Sequence, residues 1–204
     1  MVKIAGCGIC GSIFVLKAVP LPMLPAVTRK RFIILIVLLA LLSGWLWWRQ
    51  PNHWRLVNLP PAATGPWVAF GDSLTEGYGA SENGGYPAAL GRDLGVAIRN
   101  FGASGHTTED RLKRLDEVAA LRPRVVLLCL GGNDVLNRVP REQMLANLRA
   151  IILQLQSGGS FVVLIGIRSA SLRDHNESLF RSLAKETGCY YIADLLRGIW
   201  GRPI

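Results

Sequence analysis

The sequence predicts an α/β protein, a doubly wound three-layer parallel sheet preceded by an N-terminal transmembrane helix. Three observations carry that prediction. Short β-rich apolar runs alternate with helical patterns from residue 67 onward, and such alternation implies a parallel sheet with helices on both faces. The strand runs are continuously apolar, which suits strands covered on both sides. Upstream, residues 32–48 (FIILIVLLALLSGWLWW) form an unbroken apolar stretch without a charge.

The N-terminal region explains two anomalies of composition. The chain is 50% hydrophobic with a net charge of +9. Residues 1–60 hold seven Lys/Arg and no Asp/Glu, against sixteen and fourteen in residues 61–204, so the excess charge is local. No basic stripe with interleaved aromatics accompanies it, which excludes a nucleic-acid partner. As a helix, the stretch 32–48 would span about 25 Å, somewhat short of a ~30 Å hydrocarbon core. Arg29, Lys30 and Arg31 flank one end and Trp45, Trp47 and Trp48 the other, the pattern of a helix whose basic end stays cytoplasmic.

The expectation is therefore a cytoplasmic segment over 1–31, a transmembrane signal-anchor over 32–48 and a linker over 49–66. The domain from 67 to 204 would lie on the extracytoplasmic (periplasmic) side, with the membrane as a partner. A cleaved signal peptide is the competing reading, but no small-x-small site follows the apolar run. Residues 1–22 fit neither, and a chain beginning at Met23 would read as an ordinary signal-anchor.

The linker carries four prolines and little periodicity. Strands are expected at 67–70, 96–101, 124–130, 161–167 and 189–193. Thr107 followed by Asp110 is a variant capping box, opening a helix with Leu112, Leu115 and Val118/Ala119 on one face. Pro140 suits the first turn of the next helix, with Met144, Leu145, Leu148, Ile151, Ile152 and Leu155 at helical spacing and Gly158 as its stop. Residues 175–187 form a third, ending at Gly188. Cys7 and Cys10 make a lone C-x-x-C with no neighbouring ligands, so no metal site is read there. Cys129 and Cys189 sit in strand-like runs as buried thiols, and no disulfide is expected.

Three segments end strands on one edge: GDSL at 71–74, NFGASGHT at 100–107 and LGGND at 130–134. In an open sheet of this kind, ligands bind beyond the carboxyl ends of the strands, so the three turns should surround one crevice. Ser73 could supply an attacking Oγ and a backbone N–H, Gly105 a second N–H, and Asn133 a side-chain amide donor. Acyl transfer needs such a nucleophile and donors aimed at its developing oxyanion. Asp72 and Asp134 are read as structural turn residues. Gly77 and Gly79 lack a third glycine at dinucleotide-binding spacing, and no GK[ST] is present.

These blocks resemble the GDSL, or SGNH, hydrolase family of esterases and lipases, from about residue 66 to the end. The resemblance implies a flavodoxin-like fold, Ser73 as nucleophile, and Gly105 and Asn133 completing the oxyanion hole. It also implies carboxylesterase, arylesterase or lysophospholipase-like hydrolysis of a small acyl-ester or thioester through an acyl-enzyme, with no cofactor and no metal. The family's fourth block, D-x-x-H, supplies the general base and its orienting Asp. Of the three histidines, His53 lies in the linker, and His175 starts a helix with Asp174 adjacent rather than three before. His106 beside Gly105 is a candidate substitute base. The segment YIADLLRGIWGRPI resembles the family stretch leading into D-x-x-H, and no such block follows. The expectation is a member lacking its catalytic His and Asp, with little esterase activity. The alternative is a membrane-anchored binding protein, or an inactive remnant, on the same fold.

Overall fold

The computed structural model describes residues 26–48, 52–80, 84–167 and 175–196. The chain divides into two units, Met1–Arg49 and Gln50–Ile204. Helix α1 (Ala26–Trp48) belongs to the first. Among the described residues, no helix is long and apolar enough to cross a membrane. The expected transmembrane signal-anchor is corrected on that ground. The membrane as a partner and the periplasmic placement, which both rested on it, fall with it. Cys7 and Cys10 lie outside the described residues.

The second unit is built on five parallel strands: β1 (Trp67–Gly71), β2 (Ile98–Gly102), β3 (Val125–Cys129), β4 (Phe161–Ile165) and β5 (Tyr190–Ile192). Their order is β2-β1-β3-β4-β5, the flavodoxin-like order that reverses direction between β1 and β3. Ala69 lies opposite both Asn100 and Leu127 in the register. Among the described residues, seven helices connect the strands: α2 (Ser73–Glu76), α3 (Tyr86–Leu94), α4 (Thr108–Lys113), α5 (Leu115–Ala119), α6 (Gly132–Leu136), α7 (Arg141–Ser157) and α8 (His175–Thr187).

Alternate strand residues feed two cores. Val68, Phe70, Val126, Leu128, Val162 and Leu164 pack against α5, α7 and α8 through Leu115, Val118, Met144, Leu148, Ile151, Ile152, Leu155, Phe180 and Leu183. Each such side chain, fully buried, contributes about 1.5–3 kcal/mol. The opposite face, with Ala69, Leu127, Cys129, Val163 and Ile165, meets Tyr86 and Leu90 of α3, together with Leu195. Continuous apolar strands thus find cover on both sides, as their composition demands. Cys129 and Cys189 are buried free thiols; burial pushes Cys189 up to about 11 and drives Cys129 higher still.

Every strand shifts by one or two residues at an end from the sequence expectation, and three boundaries have an evident local reason. β2 begins at Ile98 rather than 96, because the Val96 N–H donates back to the Gly91 carbonyl (2.9 Å) in closing α3. The helix opened by the Thr107–Asp110 capping box breaks into α4 and α5 at Arg114, whose φ of −109° and ψ of 13° leave the helical region. Pro140 caps α7 rather than entering its first turn. The proline-rich stretch before β1 is hydrogen-bonded along the end of the sheet. Trp54 Nε1 donates to the Cys189 carbonyl (2.9 Å) and the Val57 N–H to the Gly188 carbonyl (2.8 Å). Asn52 exchanges two bonds with Tyr191 (3.1 and 2.9 Å).

Candidate active site

The carboxyl ends of β1, β3, β4 and β5 open into one cavity of about 270 Å³, at the point where the strand order reverses. Ser73 and Asn133 both line it, the first just past β1 and the second past β3. Its remaining walls are largely apolar, contributed by Leu130, Val135, Leu136, Ile167, Phe180 and Tyr191. Gly166, Asn176, Glu177 and Ala193 close the β4–β5 side. The sequence pattern indicated the edge but not these walls, since apolar residues beyond a strand read the same as core.

Ser73 is delivered by a tight strand-to-helix turn. Asp72, the N-cap of α2, accepts the Leu74 N–H (3.1 Å). Gly77 ends the helix in the left-handed region at φ 101°, its N–H reaching the Ser73 carbonyl. Asp72 is only 3% exposed; burial pushes its carboxyl above the ordinary carboxylate range, opposed by the Leu74 N–H. The backbone N–H groups of Ser73 and Gly105 have no acceptor among the described residues, which leaves both available to a ligand.

The second turn carries Gly105 at φ 78°, with open space where a side chain would stand. Gly105 is not among the residues lining the cavity, although its neighbour is tied to one that is. Asn133 Nδ2 donates to the His106 carbonyl at 2.9 Å. An amide nitrogen has two N–H donors, so this bond fixes the side chain and leaves the other donor uncommitted. His106 Nδ1 is buried without a hydrogen-bond partner, and the imidazole does not line the cavity. Ser104 is held by Glu76, its N–H at 2.8 Å and its hydroxyl in short contact with the same carboxylate oxygen.

The third turn needs Gly131. Its φ is 109°, and a Cβ there would stand 2.9 Å from Phe180 Cζ. Asp134, fully buried, does not serve a local turn as expected. It accepts the Thr108 N–H (2.9 Å) and the Thr108 hydroxyl (2.6 Å), twenty-six positions away. Thr108 and its partner Asn147 carry no motif that sequence reading could have caught. Nearby, Arg111 lies with its guanidinium 4.1 Å over the Phe70 ring and donates to the Phe101 carbonyl. Desolvation lowers it to about 10. Among the described residues no cluster of metal-ligating side chains occurs.

Comparison with known proteins agrees with this geometry. A family profile described as the GDSL-like Lipase/Acylhydrolase family matches residues 69–201. The Thioesterase 1/protease 1/lysophospholipase L1 of Escherichia coli K12 is 32% identical over 156 residues, covering 72% of this chain and 75% of that protein. An arylesterase of Vibrio mimicus is 33% identical over 109 residues, covering 50% and 54%. Among solved structures, that of AlinE4, an SGNH-hydrolase family esterase, superposes with a TM-score of 0.60 at 31% identity, over 67% of this chain and 79% of that one.

Proposed function

This chain belongs to the GDSL-like Lipase/Acylhydrolase family, and from that premise we propose that Ser73 is the nucleophile of its active site. The activity is that of a serine ester hydrolase working through an acyl-enzyme. Attack of Ser73 Oγ on the carbonyl carbon forms a tetrahedral adduct, the hydroxyl proton passes through solvent to the leaving oxygen or sulfur, and the alcohol or thiol departs as the Ser73 ester forms. Water then attacks that ester and releases the acid. The Ser73 and Gly105 N–H groups and the free Nδ2–H of Asn133 are the donors for the oxyanion. The observation that carries this reading is the shared cavity of Ser73 and Asn133, with an apolar wall fit for an acyl group. The relatives support a small acyl-ester or thioester substrate.

The base is the open element of the design. His106 does not line the cavity, and the reading proposed for polypeptide 1–204 is slow acylation of Ser73 and equally slow hydrolysis of its ester. Serine hydrolases without a working triad retain only ~10³–10⁴-fold acceleration over water. The test is p-nitrophenyl acetate hydrolysis alongside labelling by a fluorophosphonate, read by mass. Labelling confined to Ser73, with slow hydrolysis that added imidazole raises above a Ser73→Ala control, is the expected result. Fast hydrolysis without imidazole, abolished by Ser73→Ala, would show that the chain supplies its own base. Absence of any mass shift on Ser73 removes the nucleophile assignment and leaves an acyl-binding pocket.

A further inference from the structure

We propose that Asp134, Thr108 and Asn147 are positioning residues that clamp the Gly105 turn and the Asn133 turn in one register. The proposal rests on the reading of those turns as an oxyanion hole. Two adjacent residues of one turn hold two nearby residues of the other. Asn133 Nδ2 binds the His106 carbonyl at 2.9 Å. Asp134 binds Thr108 through both carboxylate oxygens, at 2.9 Å to its N–H and 2.6 Å to its hydroxyl. A single bond would let one turn pivot on the other; two bonds at neighbouring positions do not.

The donors and acceptors of this cluster balance. A threonine hydroxyl has one proton to give and lone pairs to receive. The Thr108 proton goes to Asp134, so Asn147 Nδ2 is the donor in its 3.0 Å contact with Thr108 Oγ. Asn147 Oδ1 then accepts from Gln143 Nε2 at 2.9 Å. Helix α7 thereby backs the clamp from behind. Thr108 and Asp134 are 0% exposed and Asn147 4%, so the bonds act without competition from water, and removing one partner strands the others. The fixed quantity is the place of the His106 carbonyl, and with it the direction of the remaining Asn133 N–H.

A bolt that merely joins α4 to α7 would affect stability alone, so the test reads the amide directly. In the 204-residue chain, solvent exchange of the Asn133 Nδ2 protons is followed by nitrogen-15 NMR, and Ser73 labelling by fluorophosphonate is timed well below the melting temperature. Thr108→Val keeps the shape and the N–H but loses the hydroxyl. It should speed Asn133 exchange and slow labelling by about tenfold, part of the ~10²–10³ that one whole oxyanion donor supplies. Thr108→Ser should restore both. Asn147→Ala, which cuts the relay farther from the turns, should shift both in the same direction by less, and it decides the matter if Thr108→Val does not fold. A lowered melting temperature with wild-type exchange and labelling in these variants overturns the clamp. If wild-type Ser73 takes no label, the nucleophile reading falls while Asn133 exchange still decides the clamp.

Discussion

At the residue scale, the proposed chemistry turns on donors left free for an oxyanion. Asn133 has one N–H bound to the His106 carbonyl and one uncommitted. Asn133→Ala should therefore slow fluorophosphonate labelling of Ser73 by about 10²–10³, the typical loss for one oxyanion donor, in a timed mass assay. Asp72 makes a prediction of opposite character. Burial raises its folded pKa above the ordinary value of 3.8. Between those two values the native state holds a proton that the unfolded chain has released, so stability falls as pH rises through that window. Asp72→Asn keeps an oxygen for the Leu74 N–H and removes the titration. Its melting temperature should gain on the wild type as pH rises above about 4, and a difference that stays constant with pH would refute the assignment.

Ser73, Gly105 and Asn133, the nucleophile and donors proposed above, could be singled out in the sequence by residue type, and the structure places Ser73 and Asn133 on one cavity. The His106 carbonyl that holds Asn133 could not be singled out, since every residue offers a backbone oxygen. Asp134 was read as a local turn residue for a related reason. Its partner Thr108 lies in another loop, and no spacing rule links the two.

At the scale of elements, periodicity revealed what is packed and missed what is bent. The face Met144, Leu148, Ile151, Ile152 and Leu155 of α7 is buried as its spacing requires. Ile151→Ala should cost about 2–5 kcal/mol through the cavity it leaves, measured by urea denaturation. The capping box at Thr107 formed, with Asp110 accepting the Thr107 N–H at 2.9 Å. Thr107→Ala should cost about 1 kcal/mol in the same assay, and a neutral result would mean the α4 terminus is held by Thr108 instead. Helix α3 escaped notice because Gly91 interrupts its pattern. That glycine is demanded by the strand return, where a Cβ would stand 2.8 Å from the Val96 carbonyl.

At the scale of the molecule, the sheet order and its two cores follow from apolar strands that alternate with helices. The apolar run of α1 was legible as a run, but the membrane span read from it is not supported: no helix among the described residues is long and apolar enough to cross. The proline-rich stretch read as a linker is hydrogen-bonded to the folded unit. Asn58, at φ 56°, donates to the Gln156 carbonyl (2.7 Å) and the Ser160 carbonyl (3.0 Å). Asn tolerates that left-handed backbone better than most residues. Asn58→Ala should destabilise the chain by about 1–3 kcal/mol, from stranded acceptors and strain together, and Asn58→Gly by less. Equal effects would place the whole cost in the lost bonds.

Two buried thiols, Cys129 at the end of β3 and Cys189 just before β5, offer a clock for all of these measurements. Cys129 and Cys189 are both 0% exposed, and burial holds each as the unreactive thiol near neutral pH. An alkylating reagent can reach them only when the strands part, so once Cys7 and Cys10 are replaced by serine, the rate of sulfur capture reports the opening of the sheet. The protein carries its own gauge of how long it stays closed.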